Sequence, residues 1–376
     1  VQRGVRTFEQ ARSFFRPNLT DLHDPFLMKD MDKAVARVEQ AVRNGEKIMV
    51  YGDYDVDGTT AVALVYKFLR QIGHTNLLFY IPDRYTEGYG ISVKGIDFAA
   101  RKGVSLVITV DCGIKATEKV VYAKQKGVDF IICDHHLPAD EIPRAVAVLD
   151  PKRNDCHYPF DELSGCGVGF KLVQAYAQKN GIPFEQITHL LDLLVVSIAS
   201  DIVPLTDENR VLAYYGLQNL NTSPSEGLSS IIKICGLESH TISIDDIVFK
   251  IGPRINAAGR MRMDQNDENA APSGGHAAVS LLIEGDAKMA IEKEYATLDR
   301  TMKRLDSFAQ EENFALWVAQ QTNRDGVKKD SPDRIGNIQG SFRLNQTASA
   351  IIYLERDDDD DYNTINLYLD KCRGGQ

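Results

Sequence analysis

The chain has 376 residues, 43% of them hydrophobic and 26% charged, with a formal net charge of −10. That is a globular composition with room for two or three cores. It excludes the strongly basic surface by which most proteins hold a polyanion, unless part of the negative sum belongs to carboxylates that bind cations. No apolar run approaches the roughly 20 residues that cross a bilayer, and the opening "VQRGVRTFEQARSFF" has no apolar signal-peptide region, so the expectation is a cytoplasmic protein with no membrane partner. The six cysteines are scattered with no C-x-x-C pair, which argues for reduced, mostly buried thiols and against a disulfide framework or a zinc ribbon.

From residue 47 to 150, short apolar runs alternate with amphipathic stretches. "KIMVYG" precedes the helical "TTAVALVYKFLRQIG". "NLLFYIP" precedes a helix near 93–102, "SLVITVD" a helix near 117–126, and "DFIICD" and "AVAVLD" close the series. Strand and helix in alternation mean βαβ units and a parallel sheet. Three of these strands end in acid, at Asp53, Asp111 and Asp134. Ligands of open α/β sheets bind beyond the carboxyl ends of the strands, so the three acids are expected at one rim.

After Gly165 the pattern turns helical, in "GVGFKLVQAYAQKNG" and "FEQITHLLDLLVVSIASDIVPL". A long polar helix is expected over 283–323, and "QGSFRLN", "SAIIYLE" and "TINLYLD" alternate like strands, with the run Asp357 to Asp361 as a solvated hairpin tip. The expected fold is therefore α/β: a parallel-sheet domain with helices on both faces, a long linker helix, and a small C-terminal β unit. The boundaries are an N-terminal segment 1–45, the α/β domain 46–282, the linker 283–323 and the β unit 324–376.

"DYDVDG" sets Asp53, Asp55 and Asp57 at alternate positions. On a strand these would share one face and repel unless solvated or bridged by a cation. Asp111 in "VITVDCGI", Asp134, His135 and His136 in "IICDHHLP", and Asp201 in "SIASDIVPL" complete the set. Taken singly, each has a plain explanation as a cap or a turn. Jointly, at element ends of one α/β unit, they read as a metal site. Carboxylate with imidazole suits a first-row ion of the Mn²⁺ type better than Ca²⁺. Five or six ligands exceed the need of one catalytic ion, and two ions bridged by a carboxylate fit the count.

"DYDVDG", "VDCGI", "DHH" and "SIASDIVPL", in this order, resemble the DHH phosphoesterase superfamily. "EGYGIS", "LSGCGVGFKL" and "GPRINAAGRM" resemble its RecJ-type branch, the single-strand-specific 5′ to 3′ exonucleases, and the similarity runs from about Thr7 to Asp306. The resemblance implies a two-metal phosphodiesterase with two divalent ions, Mn²⁺ ahead of Mg²⁺, releasing 5′-mononucleotides from single-stranded DNA in repair and recombination, with a single-strand-binding protein or a helicase as a further partner. It implies Asp55 and Asp57 as ligands, one to each ion, with Asp53 as a third ligand or an orienting group, Asp111 as the bridge, and His135 and Asp201 as further ligands. His136 would touch the scissile phosphate or the attacking water, and Asp134 would orient the histidine pair. Arg254, Asn256 and Arg260 of "GPRINAAGR" would hold substrate phosphates. The glycine-rich start of the helix in "SGCGVGFK" either offers N–H groups to a phosphate or packs tightly.

Relatives of this kind carry a second domain with a Gly-Gly-His signature and then an oligonucleotide-binding barrel. Fewer than about 60 residues follow Asn323, too few for both. "SGGHAAV" spells Gly-Gly-His before the linker, where a helix is expected to start, so the second lobe reads as truncated or shortened and the tail as the end of the barrel. Two other readings stand beside the exonuclease: a phosphodiesterase of short oligoribonucleotides or cyclic dinucleotides, and a non-catalytic scaffold. Scaffolds of this type lose metal ligands, and this chain keeps them.

Overall fold

All five apolar runs between residues 47 and 150 form strands of one sheet in the computed structural model, which describes residues 7–84, 86–258, 274–284, 350–355 and 366–372. The chain divides into two units, Val1–Ile291 and Glu292–Gln376.

The first unit opens with α1 (Phe8–Phe15) and α2 (Met31–Arg43), then alternates strand and helix as far as β4. β1 (Ile48–Gly52), α3 (Val56–Gln71), β2 (Leu77–Tyr80), α4 (Val93–Arg101), β3 (Leu106–Val110), α5 (Thr117–Gln125), β4 (Asp129–Cys133) and β5 (Ala147–Leu149) follow in order. The sheet is parallel throughout, ordered β2-β1-β3-β4-β5. The two-residue period of a strand sorts its side chains into two cores. Ile48, Val50, Leu106, Ile108 and Ile131 face the layer of α2, α3 and the later helices. Met49, Tyr51, Val107 and Phe130 face α4 and α5. Both faces are thus covered, as a parallel sheet requires.

The helical part comprises α6 (Gly165–Lys179), α7 (Leu191–Ser200), α8 (Asp207–Thr222) and α9 (Glu226–Ile234). A continuous helical segment follows: α10 (Ile244–Asp246), a π turn at Ile247–Ile251 and α11 (Gly252–Ala258). α12 (Gly274–Glu284) completes the unit. The start of α12 at Gly274 agrees with reading "SGGH" as a helix start. Beyond Glu284 the expected linker helix lies outside the described residues, as do "QGSFRLN" and the acidic run Asp357 to Asp361. In the second unit β6 (Ala350–Glu355) and β7 (Asn366–Cys372) pair antiparallel. Among the described residues no helix is long and apolar enough to cross a membrane, and Cys112, Cys133 and Cys166 are free and buried.

Strand order reverses between β1 and β3, the topological switch point at which an open parallel sheet leaves a crevice. Asp53 follows β1 directly and Asp111 follows β3 directly, so topology alone makes these two acids neighbours.

Candidate metal centre

The three acids of "DYDVDG" do not meet along a strand. β1 ends at Gly52, and Asp55 is already the N-cap of α3, its Oδ1 accepting from Gly58 N at 2.9 Å. A strand-to-helix turn therefore gathers them, and glycine makes it possible: a Cβ on Gly58 would lie 2.5 Å from the Asp53 carbonyl oxygen.

Asp57, in the first turn of α3, points across to the start of α6. Its Oδ2 accepts from Gly165 N at 2.6 Å, and its Oδ1 from Cys166 N at 2.8 Å and Ser197 Oγ at 2.7 Å. The glycine-rich start of α6 thus has its free N–H groups engaged by a carboxylate of the chain itself, not left for a phosphate. Gly165 is needed for that approach, because a Cβ there would fall 2.6 Å from Asp111 Oδ1.

Asp111 sits in the left-handed region at φ 58°, a conformation Asp tolerates better than most residues. Its amide bonds the Cys133 carbonyl at 2.9 Å, extending the β3–β4 ladder by one residue. The histidine pair follows β4. His135 Nδ1 lies 3.0 Å from the Leu163 carbonyl, which can only accept, so Nδ1 carries the hydrogen and Nε2 offers its lone pair to the rim. That Nε2 is 3.1 Å from Asp111 Oδ1, 3.7 Å from Asp57 Oδ2 and 3.9 Å from Asp201 Oδ2. Asp201 reaches the rim as the C-cap of α7.

Asp134 is saturated by its own loop and by the loop that follows β3. Oδ1 accepts from the amides of His135 and His136 and from His136 Nδ1 at 2.7 Å, and Oδ2 accepts from Ile114 N at 2.9 Å. Asp134 therefore orients the pair and does not face the cluster. His136 has the Tyr89 hydroxyl 3.1 Å from its Nε2, and that hydroxyl donates to the Asp111 carbonyl at 3.2 Å.

Burial with like charge fixes the electrostatics. Desolvation, then the Asp55 charge, pushes Asp53 up to about 7. Desolvation, then Asp57 and Asp55, does the same for Asp201, to about 7. Asp55 is raised by burial and by Asp57, and Asp111 is driven well above the usual carboxylate range by burial and the surrounding acids. Burial is the largest single influence on Asp134 and opposes its ionisation, but the hydrogen bond and charge of His136 together with the amides of Ile114 and His136 outweigh it and hold that carboxyl below its ordinary value. The same bond raises His136, whereas burial lowers His135.

The donor atoms form overlapping groups whose members lie within 4.8 Å of one another: Asp53, Asp55 and Asp111; Asp57, His135 and Asp201; and Asp111, His135 and His136. Asp53, only 1% exposed, has an Oδ1 with no hydrogen-bond partner among the described residues. A buried orphan oxygen among repelling carboxylates, beside an imidazole lone pair, fits a divalent cation and fits an apolar or anionic ligand badly.

All six residues expected as ligands (Asp53, Asp55, Asp57, Asp111, His135 and Asp201) thus converge, with His136 and Asp134 beside them. The phosphate-binding trio is less gathered. Arg254 Nη1 donates to the Lys250 carbonyl at 2.9 Å on its own helical segment, Asn256 lies on α11, and Arg260 is outside the described residues. Ser197 and Tyr89 went unforeseen as members of the site. Ser197 stands one helical turn before Asp201, a spacing that puts both on one side of α7 and was readable. The contact of Tyr89 with His136 spans 47 residues, and no local signal carries it.

Residues 47–198 match the family model described as the DHH family, N-terminal domain. The chain is 42% identical over 287 residues to the single-stranded-DNA-specific exonuclease RecJ of Bacillus subtilis (strain 168), covering 76% of this chain and 34% of that protein. It is 31% identical over 338 residues to the protein of the same name from Escherichia coli (strain K12), covering 86% of this chain and 56% of that protein. The chain thus spans between about a third and about half of these relatives. A solved structure of exonuclease RecJ bound to manganese superposes with a TM-score of 0.64 at 29% identity, covering 78% of this chain and 71% of that one. The parallel sheet, the acid-and-histidine rim and these matches agree, and the α/β unit of this chain belongs to the DHH family.

Proposed function

We propose that the chain is a divalent-metal-dependent phosphodiesterase that shortens single-stranded DNA from the 5′ end, releasing 5′-mononucleotides, and serves DNA repair and recombination in the cytoplasm. The observation that carries this reading is the tautomer of His135. With Nδ1–H held by the Leu163 carbonyl, Nε2 is free to coordinate within 3.9 Å of carboxylates from three other segments. The names of the RecJ relatives support the substrate class.

In this reading Asp53, Asp55 and Asp111 would hold one ion and Asp57, His135 and Asp201 the other, and the imidazole donor would favour Mn²⁺ over Mg²⁺. Two such ions, when bound, would supply a water of lowered pKa and neutralise charge at phosphorus. The chain's own groups do the rest. Asp134 favours the protonated form of His136, whose Nε2–H would donate a hydrogen bond to a phosphate oxygen. Tyr89 limits the swing of that ring. Arg254, Asn256 and Arg260 hold neighbouring phosphates. A single-strand-binding protein or a helicase would deliver the strand.

The test is end-labelled single-stranded DNA, duplex DNA and short RNA, each with Mn²⁺ and with Mg²⁺, read as product length over time. Mononucleotides from the 5′ end of single strands are expected, with blunt duplex intact. Cleavage confined to dinucleotides or cyclic dinucleotides would replace this reading with the short-substrate one.

A further inference from the structure

α7 ends with Asp201 as its C-cap, and the next residue, Ile202, has φ 59°. In that region the Cβ of an L-residue crowds the following carbonyl, so helices that stop there use Gly or Asn, and a β-branched residue is an outlier. Among the described residues the other non-glycine positions at positive φ are all Asp: Asp30, Asp111 and Asp207.

Burial does not compensate Ile202. It is 48% exposed, while Val203 and Leu205, close along the chain, pack against the core. Glycine at 202 would relax the backbone and remove an exposed apolar group, and the position forgoes both. Strain kept where packing does not require it points to function, and the location agrees. Asp201 Oδ2 stands 3.9 Å from His135 Nε2, so Ile202 directly follows one member of the cluster. Leu137, which directly follows the histidine pair, is 71% exposed. Two exposed aliphatic side chains therefore adjoin, in sequence, Asp201 and His136, each of which groups its polar atoms with those of His135.

We propose that Ile202 is a substrate-contacting specificity residue. Its side chain packs on the sugar and base edge of the nucleotide whose phosphate lies over the acid-histidine cluster, and Leu137 extends the same apolar lip. This rests on the phosphodiesterase reading above. The carboxylates and histidines address only phosphate, which is alike in every phosphodiester. An apolar contact beside them lets the site prefer a nucleotide chain to a bare phosphodiester, since part of the substrate's binding is then made by groups that do not react.

The experiment compares Ile202→Gly, Ile202→Ala and Ile202→Leu with the parent chain in Mn²⁺. Three quantities are read: kcat/KM on a single-stranded oligonucleotide, hydrolysis of bis(p-nitrophenyl) phosphate, which has neither sugar nor base, and melting temperature. Removing an apolar group of this size should lower kcat/KM on the oligonucleotide roughly 10-fold or more in the Gly and Ala variants. Hydrolysis of the small diester should stay within about twofold of the parent, by the same reasoning that only the nucleotide contact is removed. Ile202→Gly should melt at or above the parent temperature because it removes the strain, and Ile202→Leu should recover most of the activity.

An unchanged kcat/KM on the oligonucleotide in Ile202→Gly overturns the proposal, leaving Ile202 as a poor helix stop and nothing more. Equal loss on both substrates also overturns it, because Ile202 would then act by placing Asp201. If the parent cleaves neither substrate, the phosphodiesterase reading fails on its own. The fluorescence anisotropy of the labelled oligonucleotide then decides the contact: weaker binding by Ile202→Gly keeps it, and equal binding removes it.

Discussion

Asp57 closes the N-terminus of α6: its two carboxylate oxygens take the amides of Gly165 and Cys166 at 2.6 and 2.8 Å, from a residue 108 positions away from Gly165. One side chain therefore belongs both to the acid cluster and to the helix packing behind it. Asp57→Asn should lower stability even with metal chelated, because an amide nitrogen would face an N–H donor. Hydrogen bonds to charged groups contribute about 1.5–3 kcal/mol, and denaturant melts in EDTA should show a loss of that order. A variant as stable as the parent in EDTA would mean that the α6 amides do not depend on the charge.

Asp111 should behave in the opposite way. It is buried among like charges, and apart from the histidine pair, with the His135 imidazole at 3.1 Å, its side chain is faced by other carboxylates. Asp111→Asn should leave the metal-free protein as stable as the parent or more so at pH 8, while elemental analysis finds at least one ion fewer. Full metal content in the variant would remove Asp111 from the ligand set.

The sheet and its rim were legible because each strand is a continuous apolar run and each acid follows one directly, which the switch-point rule turns into a place. The turn that gathers Asp53, Asp55 and Asp57 was read as a strand face because the alternate spacing of "DYDVDG" imitates period two. Only Gly58, which lets the chain fold back on the Asp53 carbonyl, marks the helix start as early as Val56. The engagement of the α6 amides by Asp57 and the contact of Tyr89 with His136 were not legible. Both are pairings between distant segments, set by how α3, α6 and the loop before α4 pack.

The pH dependence of the metal-free protein follows from the raised carboxyls. Unfolded Asp titrates near 3.9, whereas burial and like charge bring folded Asp53 and Asp201 to about 7 and raise Asp55 and Asp111 as well. The folded state then keeps protons that the unfolded state has released. Stability should fall as pH rises from about 4 through about 7, where Asp53 and Asp201 release their protons, and should go on falling as Asp111 releases its own. His136, raised by Asp134, contributes in the same direction as pH climbs through its folded value, and His135, lowered by burial, contributes in the opposite one. In EDTA the melting temperature should therefore be higher at pH 5.5 than at pH 8, and saturating Mn²⁺ should reverse that order, because the ions displace those protons. A metal-free protein that grows more stable across this range would contradict the crowded-carboxylate description.

Asp134 should control the proton on His136. The 2.7 Å bond between Asp134 Oδ1 and His136 Nδ1 is the leading cause of the raised value. Asp134→Asn keeps the size of the side chain and an oxygen to accept, but loses the charge. The His136 pKa followed by NMR in the metal-free protein should move down, toward or below the ordinary histidine value. An unmoved titration would show that the imidazolium draws its stabilisation from Asp201 and Asp57 instead.

Arg254 presents a choice that salt can decide. A π turn runs up to Gly252, whose amide bonds the Ile247 carbonyl, and Pro253 follows with no amide hydrogen to give. Arg254 Nη1 donates to the Lys250 carbonyl at 2.9 Å beside this irregularity. The guanidinium therefore helps to satisfy the backbone of its own segment, and it must also reach a phosphate if it grips the strand. A charge-assisted hydrogen bond of about 1.5–3 kcal/mol corresponds to a roughly 10-fold to 150-fold weakening of single-strand binding in Arg254→Ala. The slope of log affinity against log salt should flatten by about 0.7 for each phosphate that the variant no longer neutralises, with metal content unchanged. If the side chain serves only the π turn, the melting temperature falls, while the folded fraction binds DNA with the parent's affinity and salt slope. Anisotropy titrations at several salt concentrations, run beside melting curves, separate the two. An unchanged slope with a lowered melting temperature removes Arg254 from the phosphate-binding set and leaves it as the group that closes the π turn.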